Sequence, residues 1–192
     1  FSTDSALFVC VSGKGLLRSG DDGNSWSYSN QGLSLTNVNY VMQYGNSVYC
    51  SGFGKVFRSE DNGITWTEFS NGLPLSNITS MMIGSGEIFA TLYGAGLYSS
   101  ANNGETWSDQ NQGFEGREVN SFVEAVDQHI ACTNDSRLFR TNEEEFDWSE
   151  SVNGLTGASK NRVCVNNSVL FCAASDNVYR SNDLGNSWNA IG

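Results

Sequence analysis

Short apolar runs alternate with polar turns along the chain. Between residues 34 and 74, apolar runs lie at 38–42, 48–50 and 56–58. Turns rich in Gly and Asn separate these runs, and a fourth short segment follows Trp66. Runs of this length, bounded by turn residues and without helical periodicity, are typical of antiparallel strands joined by hairpins. The pattern predicts an all-β protein with four strands per unit and no helix.

The five tryptophans mark an internal repeat. They stand at positions 26, 66, 107, 148 and 188, so neighbouring copies are 40, 41, 41 and 40 residues apart. A four-stranded sheet that recurs about every 40 to 45 residues covers its faces by radial stacking on its neighbours, which is the β-propeller architecture. The repeat predicts a single propeller domain, or a propeller fragment, with units 1–33, 34–74, 75–115, 116–156 and 157–192.

The first unit is shorter than the others. Residues 6–11 match the second strand of the other units, and residues 16–19 match the third. The first of about five blades is therefore predicted to lack its innermost strand. Two interpretations remain open, namely a closed five-bladed ring with one incomplete blade, and a self-associating piece or upstream-truncated part of a larger ring.

A polar motif precedes each tryptophan. Its copies read Ser19, Asp21, Gly23 and Trp26; Ser59, Asp61, Gly63 and Trp66; Ser100, Asn102, Gly104 and Trp107; Ser181, Asp183, Gly185 and Trp188. The fourth copy keeps Trp148 but has Glu143 and Glu145 in place of the Asp and the Gly. The Asp can accept hydrogen bonds from following backbone N–H groups, and the Gly can adopt positive φ. We expect the tryptophan to anchor the hairpin against the next sheet, burying ~150 to 250 Å².

This motif resembles the Asp-box, or bacterial neuraminidase repeat. The resemblance implies a hairpin between the third and fourth strands of a propeller blade, on the face opposite the usual binding site. It covers nearly the whole chain but implies no single activity, because the box occurs in sialidases, xyloglucan hydrolases, sortilin-type receptors and photosystem assembly factors. The glycine-rich units here look most like uncharacterised secreted or sortilin-like propellers, which implies an extracellular or cell-surface location.

Charge and cysteine usage limit the partners. The formal charge of −11 repels phosphate backbones, so no nucleic-acid partner is predicted, and no stretch approaches the roughly 20 apolar residues of a membrane span. Four cysteines, at positions 10, 50, 132 and 172, each lie 16 residues before a motif tryptophan. We predict that they share one structural position as buried free thiols, since equivalent positions in packed sheets are ~10 Å apart. Free thiols leave an intracellular location open, and the state of Cys164 is open too.

Enzymatic chemistry receives little support from the sequence. Arg18, Arg58, Arg140 and Arg180 occupy one repeat position, which predicts a structural role instead of a carboxylate-binding cluster. His129 is the only histidine and is predicted to lie in a polar turn, with no triad partner nearby. Neither a close cysteine pair nor a second histidine is available for metal binding. No catalytic residue, metal site or cofactor is predicted.

Variable positions are predicted to lie on the rim opposite the motif hairpins. These candidate ligand-binding residues are Lys14, Phe53, Lys55, Tyr93, Asp135, Arg137 and Asp176. Variable loops on a constant frame are typical of recognition surfaces. The predicted function is a non-enzymatic binding or scaffold module whose loop rim recognises protein or glycan, either alone or within a larger extracellular assembly. The alternative is a carbohydrate-active propeller, either a lectin or a fragment of a sialidase-like or xyloglucanase-like hydrolase.

Overall fold

The computed structural model describes residues 1–113, 117–126, 128–142, 146–155 and 160–191, and within these ranges the regular structure is entirely β. Sheet 1 contains β1 Leu7–Val11, β2 Gly15–Ser19 and β3 Ser27–Tyr28. Sheet 2 contains β4 Tyr40–Tyr44, β5 Ser47–Gly52, β6 Lys55–Ser59 and β7 Thr67–Glu68. Sheet 3 contains β8 Ile78–Gly84, β9 Glu87–Leu92, β10 Gly96–Ser100 and β11 Ser108–Asp109. Sheet 4 contains β12 Val119–Ala125, β13 Gln128–Thr133, β14 Leu138–Asn142 and β15 Ser149–Glu150. Sheet 5 contains β16 Lys160–Asn166, β17 Val169–Ala174, β18 Val178–Ser181 and β19 Asn189–Ala190.

Strands that follow one another in sequence are neighbours in every sheet. Sheets 2 to 5 have four strands each, and sheet 1 has three. This confirms the predicted all-β propeller of about five antiparallel blades with a reduced first blade. The chain forms two compact units, residues Phe1–Leu92 with Tyr98–Ser108 and residues Tyr93–Leu97 with Asp109–Gly192. The described part contains no helix able to cross a membrane.

Each tryptophan from Trp66 onward is hydrogen-bonded to the segment that follows the preceding sheet. We call the segment after the last strand of a sheet its exit loop. The four exit loops that accept hydrogen bonds from a tryptophan begin at residues 29, 69, 110 and 151. Trp107 donates its backbone N–H to the carbonyl of Asn71 at 2.9 Å and its indole N–H to the carbonyl of Phe69 at 2.9 Å. Trp66 and Trp148 make the same pair of donations to the preceding exit loop. Trp188 donates its backbone N–H to the Asn153 carbonyl and its indole N–H to the Ser151 hydroxyl oxygen. The expectation that the tryptophan packs against the next sheet was therefore wrong in direction.

A glycine in each exit loop permits this junction. Gly72 has φ +96°, and a Cβ there would collide with the carbonyl of Trp107. Gly32, Gly113 and Gly154 have the same positive φ and the same close approach to the following tryptophan. Only glycine combines a left-handed backbone with this contact at low cost.

Strand register divides the cysteines into two structural positions. Cys50 pairs with Phe57 and Cys172 pairs with Tyr179, which both lie nine residues before their motif tryptophan. Cys10 pairs with Leu16 and Cys132 pairs with Leu138, which both lie ten residues before it. The connection between these strands differs by one residue, and a shift of one residue turns a side chain to the other face of a sheet. The prediction of a single shared position was wrong.

Burial follows the same division only in part. Cys50, Cys132 and Cys172 are buried, whereas Cys10 and Cys164 are exposed. Cys10 lies on β1, the edge strand of the three-stranded sheet, so that no further strand covers its flank. The prediction of a buried Cys10 was therefore wrong. Partial burial still raises the pKa of the Cys10 thiol, and fuller burial raises the pKa of Cys50 further.

The exit-loop glycines can be tested by substitution. Gly72→Ala combines a strained φ with a clash against the next sheet, and we expect it to lower the free energy of unfolding by about 3 kcal/mol. Gly45→Ala is the matched control, because Gly45 has φ +58° but nothing within 4 Å of an added Cβ. We expect the control to lose only about 1 kcal/mol. Urea unfolding measures both, and equal losses would contradict the role of the contact.

Thiol accessibility can be tested by titration with Ellman's reagent. We expect two thiols to react in the folded protein and all five to react after denaturation. Cys10 should react more slowly than Cys164, because its raised pKa leaves less thiolate. Cys164→Ser should remove the fast phase, and Cys10→Ser the slower one. Rapid reaction of more than two thiols in the native state would contradict this assignment.

Candidate functional site

The motif hairpins are closed by a carboxylate that accepts several hydrogen bonds. Asp61 Oδ1 accepts from the Ser59 hydroxyl at 2.7 Å and from the Thr65 backbone N–H at 2.8 Å. Its Oδ2 accepts from the Thr65 hydroxyl at 2.6 Å. The Gly63 N–H donates to Ser59 Oγ at 2.7 Å. The same hydrogen bonds surround Asp21 and Asp183.

In the third copy of the motif, the side-chain amide of Asn102 replaces the aspartate carboxylate. Asn102 Oδ1 accepts from the Thr106 N–H at 3.0 Å, and Asn102 Nδ2 donates to Thr106 Oγ1 at 2.8 Å. The Gly104 N–H donates to Ser100 Oγ at 2.8 Å. In the fourth copy Trp148 is buried, while Glu143 and Glu145 lie outside the described residues.

Hydrogen bonding to the ionised form lowers the pKa of these acids. The hydroxyl and backbone donors of Ser25 lower the pKa of Asp21 to about 2, and those of Thr65 lower the pKa of Asp61 to about 2. Ser187 lowers the pKa of Asp183 in the same way. Each carboxylate is already occupied within its own turn, so the motif hairpins have a structural role.

The first compact unit, residues Phe1–Leu92 with Tyr98–Ser108, carries an exposed apolar pair on its rim. Phe53 and Leu75 have 60% and 78% of their surfaces exposed. Phe53 forms an isolated β-bridge with Asn77, and the Gly54 N–H donates to the Ser76 carbonyl at 2.6 Å. These contacts place the hairpin tip of sheet 2 beside the segment that leads into sheet 3. We call Phe53 and Leu75 the rim pair.

The two predicted rim lysines of the first unit differ in their contacts. Lys55 Nζ lies 2.7 Å from Glu68 Oε2 and donates to Ser34 Oγ at 3.1 Å, so its charge is largely compensated. Lys14 is exposed, and its carbonyl accepts from the Asn30 amide at 2.7 Å.

In the second compact unit, the predicted rim residues Asp135 and Arg137 form an ion pair, and Arg117 pairs with the same carboxylate. Arg137 Nε lies 3.3 Å from Asp135 Oδ2, and Arg117 Nε lies 2.9 Å from the same oxygen. Thr133 donates its hydroxyl to Asp135 Oδ1. Although partial burial opposes the shift, the Thr133 and Arg117 hydrogen bonds hold the pKa of Asp135 below its usual value. Arg137 also reaches Glu150 at 3.5 Å, so these side chains form a nearly balanced ionic network.

The remaining predicted rim residues are Tyr93 and Asp176. Tyr93 is exposed at the hairpin between β9 and β10. Asp176 Oδ2 accepts from the hydroxyl of Tyr179 at 2.9 Å, and the Tyr179 ring belongs to the core of the second unit. Asp176 therefore supports a turn.

A cavity of about 350 Å³ lies beside the second motif hairpin, away from the predicted rim residues. Arg58 stacks on the Phe69 ring at 3.9 Å and pairs with Glu60 at 2.8 Å. It also donates to the carbonyl of Asn103 at 3.2 Å. These contacts fix the guanidinium at the junction of sheets 2 and 3, and they match the structural role predicted for the repeated arginines.

His129 does not lie in a turn as predicted. It is in β13, fully buried, with its ring stacked on Phe122 at 5.3 Å and on Phe146 at 5.0 Å. A polar residue within an apolar strand reads as a turn from sequence alone, so the aromatic contacts had no local signal. Among the described residues, no group of three or more His, Cys, Asp or Glu side chains is arranged to hold a metal ion.

Sequence reasoning missed Leu75 and Arg117. Leu75 has the same local sequence as Leu35, in the pattern Gly-Leu-x-Leu, but Leu35 packs beside Gly52 and against the core of sheets 1 and 2. The exposure of Leu75 depends on its packing environment, which the repeat pattern does not encode. Arg117 lies at the start of the fourth repeat unit and could be placed only once its contact with Asp135 was known.

The fold and the junctions define a β-propeller protein. The family model of the DUF6242 beta propeller domain matches residues 3–123, and the chain belongs to this family. No curated protein matches the sequence.

Solved structures show the same fold at low identity. A structure described as YCF48 bound to D1 peptide aligns with 97% of this chain and 64% of that chain, at a TM-score of 0.71 and 16% identity. The GH74 xyloglucanase from Xanthomonas campestris aligns with 97% of this chain and 37% of that chain, at a TM-score of 0.71 and 14% identity. An extracellular domain of a putative one-component system from B. thetaiotaomicron aligns with all of this chain and 34% of that chain, at a TM-score of 0.63 and 12% identity. The chain thus spans less than two thirds of these structures.

The acid–hydroxyl turns predict a specific pH dependence. The folded pKa of Asp61 is about 2, below its ordinary value of 3.8, so its stabilisation is complete above that ordinary value and is lost as the pH falls through about 2. Asp61→Asn should reproduce the neutral hydrogen bonds of Asn102, so the variant should melt below the wild type at pH 7 and approach it near pH 2. Thermal melts across this range measure the difference. Asp22→Asn is the control, because it removes a carboxylate from the first motif hairpin at a position other than the acid of the motif, and the same convergence there would contradict the assignment.

Proposed function

We propose that this propeller is a non-enzymatic module that binds an extended protein segment on the rim of its first compact unit. The observation that supports this most directly is the rim pair, in which Phe53 and Leu75 expose large apolar surfaces on adjoining segments. Exposed aromatic and aliphatic side chains on a rigid frame are typical of protein-recognition surfaces. The hairpin tip that carries Phe53 is fixed by backbone contacts to residues 76 and 77, so the surface is preformed.

The acids among the predicted rim residues support binding over hydrolysis. Asp135 is shared by two arginines, and Asp176 accepts a hydrogen bond from a core tyrosine. Glycoside hydrolysis requires two carboxylates placed about 5 to 10 Å apart across the scissile bond. Both predicted rim acids are instead engaged in ion pairs or turns. We therefore propose no catalytic residue and no cofactor for this chain.

The motif turns support the proposed assignment to the Asp-box class. Their acid, hydroxyl and glycine positions satisfy one another within each turn, as that motif requires. We propose an extracellular or cell-surface location on the same basis. The relatives in fold include a xyloglucanase and a peptide-bound protein, so a glycan is the competing ligand class.

A paired selection experiment distinguishes these ligand classes. The protein is screened against a displayed random-peptide library and against a glycan array, and the recovered ligands are tested on Phe53→Ser and Leu75→Ser. We expect peptides with apolar anchors to be recovered, and both substitutions to weaken their binding about tenfold or more. Ile64→Ser is the matched control, since Ile64 is also an exposed aliphatic residue but lies in a motif hairpin. Glycan binding, or peptide binding that Ile64→Ser weakens equally, would overturn the proposal.

A further inference from the structure

Four Asn-Gly pairs occur in the chain, and they lie in two structural settings. The motif pairs, Asn62-Gly63 and Asn103-Gly104, belong to motif hairpins. The exit-loop pairs, Asn71-Gly72 and Asn153-Gly154, form the centres of turns in exit loops. An asparagine before glycine loses its side-chain amide readily, because glycine has no side chain to hinder attack by its own backbone nitrogen. The two settings differ in whether that nitrogen is available.

In the motif pairs the glycine nitrogen is engaged and buried. The Gly63 N–H donates to Ser59 Oγ at 2.7 Å, and the Gly104 N–H donates to Ser100 Oγ at 2.8 Å. Both glycines are buried. The nitrogen must lose its proton and turn toward the asparagine side chain before it can attack, so this hydrogen bond has to break first. The motif hairpins therefore protect their own Asn-Gly pairs.

In the exit-loop pairs the glycine nitrogen is open to solvent. Gly72 and Gly154 are exposed, and within the described ranges of the chain their N–H groups donate no hydrogen bond. Asn71 is exposed too, and its side-chain amide makes no hydrogen bond to that part of the chain. Water can reach the proton that must leave and the amide that must react.

We propose that Asn71 and Asn153 are sites of spontaneous deamidation. After its proton passes to solvent, the Gly72 nitrogen attacks Cγ of Asn71; a C–N bond forms, the Cγ–Nδ2 bond breaks, and ammonia leaves. Water then opens the resulting succinimide ring at either carbonyl, which gives aspartate or isoaspartate. The net reaction consumes water and releases ammonia, and it requires no oxidant or cofactor. The same steps apply to Asn153 and Gly154.

The other two exit loops carry a resistant form of the same turn. They contain Gln31-Gly32 and Gln112-Gly113. Their glutamine carbonyls accept from the backbone N–H groups of Trp66 and Trp148 at 2.9 Å, as the asparagine carbonyls do at the other junctions. Glutamine closes the larger imide ring much more slowly than asparagine closes its ring. Glutamine thus supports the junction without the labile amide.

Deamidation at Asn71 changes the junction between sheets 2 and 3. The backbone carbonyl of Asn71 accepts from the Trp107 N–H at 2.9 Å. In an isoaspartate the main chain passes through the side chain and gains a carbon atom, and this carbonyl becomes part of a branching carboxylate. The new charge enters a cavity of about 590 Å³ that Glu68 and Glu105 also line, so like charges repel there. The modification therefore weakens this junction.

Ageing of the folded protein tests the assignment of the sites. The protein is incubated in mildly alkaline buffer, and peptide mass mapping with isoaspartyl methyltransferase labelling follows each Asn-Gly pair. We expect the exit-loop pairs to react about tenfold or more faster than the motif pairs, because a motif glycine must first lose its hydrogen bond. In denaturant all four pairs should react at similar rates. Equal rates in the folded protein, or faster reaction of the motif pairs, would overturn the proposal.

One variant tests the cause of the protection. Ser100→Ala removes the acceptor of the Gly104 N–H, and deamidation of Asn103 should then accelerate while that of Asn71 stays unchanged. Ser100→Thr keeps a hydroxyl and should keep Asn103 slow. Circular dichroism verifies that both variants are folded. A folded Ser100→Ala protein in which Asn103 stays slow would show that the hydrogen bond does not protect it.

Thermal melts test the effect on the junction. Asn71→Gln should abolish the modification at this position and melt like the wild type, since glutamine occupies the same place in two other exit loops. The isoaspartate form, separated by ion exchange through its added charge, should melt below both. Asn71→Asp adds the charge without the extra carbon atom and should melt between them. An isoaspartate form that melts with the wild type would overturn the predicted weakening.

Discussion

The structure depends on one repeated contact, in which a tryptophan at the start of the outer strand donates two hydrogen bonds to the exit loop of the preceding sheet. A single four-stranded sheet of this size cannot bury both faces, so the apolar residues of each sheet are stabilised only where another sheet covers them. The indole contributes apolar area and the hydrogen bonds set the position. The glycine of the exit loop allows the two backbones to approach closely.

The motif turns stabilise the frame, whereas the rim presents exposed side chains. At the turns, hydroxyls, glycine N–H groups and the carboxylate satisfy one another, so these repeated residues are already hydrogen-bonded within the turn and do not face a ligand. At the rim, neighbouring sheets differ in loop length and side chains: the rim pair is exposed, whereas Asp135 is held in ionic contacts. A constant frame with variable loops separates stability from recognition.

Much of the fold could be predicted from the sequence, because tryptophan spacing and turn residues are local signals with a fixed period. The contacts at the candidate site were less predictable. Phe53 and Asp135 could be assigned to hairpin tips, but Leu75 and Arg117 come from segments about 20 residues away, and only the packing shows that they adjoin. His129 failed as a predicted turn residue because its aromatic neighbours lie on a different strand and in a different loop.

The one-residue difference between the hairpins of sheets 1 and 4 and those of sheets 2 and 5 limits how such repeats can recombine. In this chain a change of hairpin length moves Cys10 and Cys132 to the face opposite that of Cys50 and Cys172. A blade copied to another place would keep its own hairpin length, and with it the face to which each side chain of that strand points. Its new neighbours would then meet a differently ordered face even where the aligned sequences look identical. In this chain the exchange of one blade for another is therefore constrained by the length of the hairpin as well as by the length of the repeat.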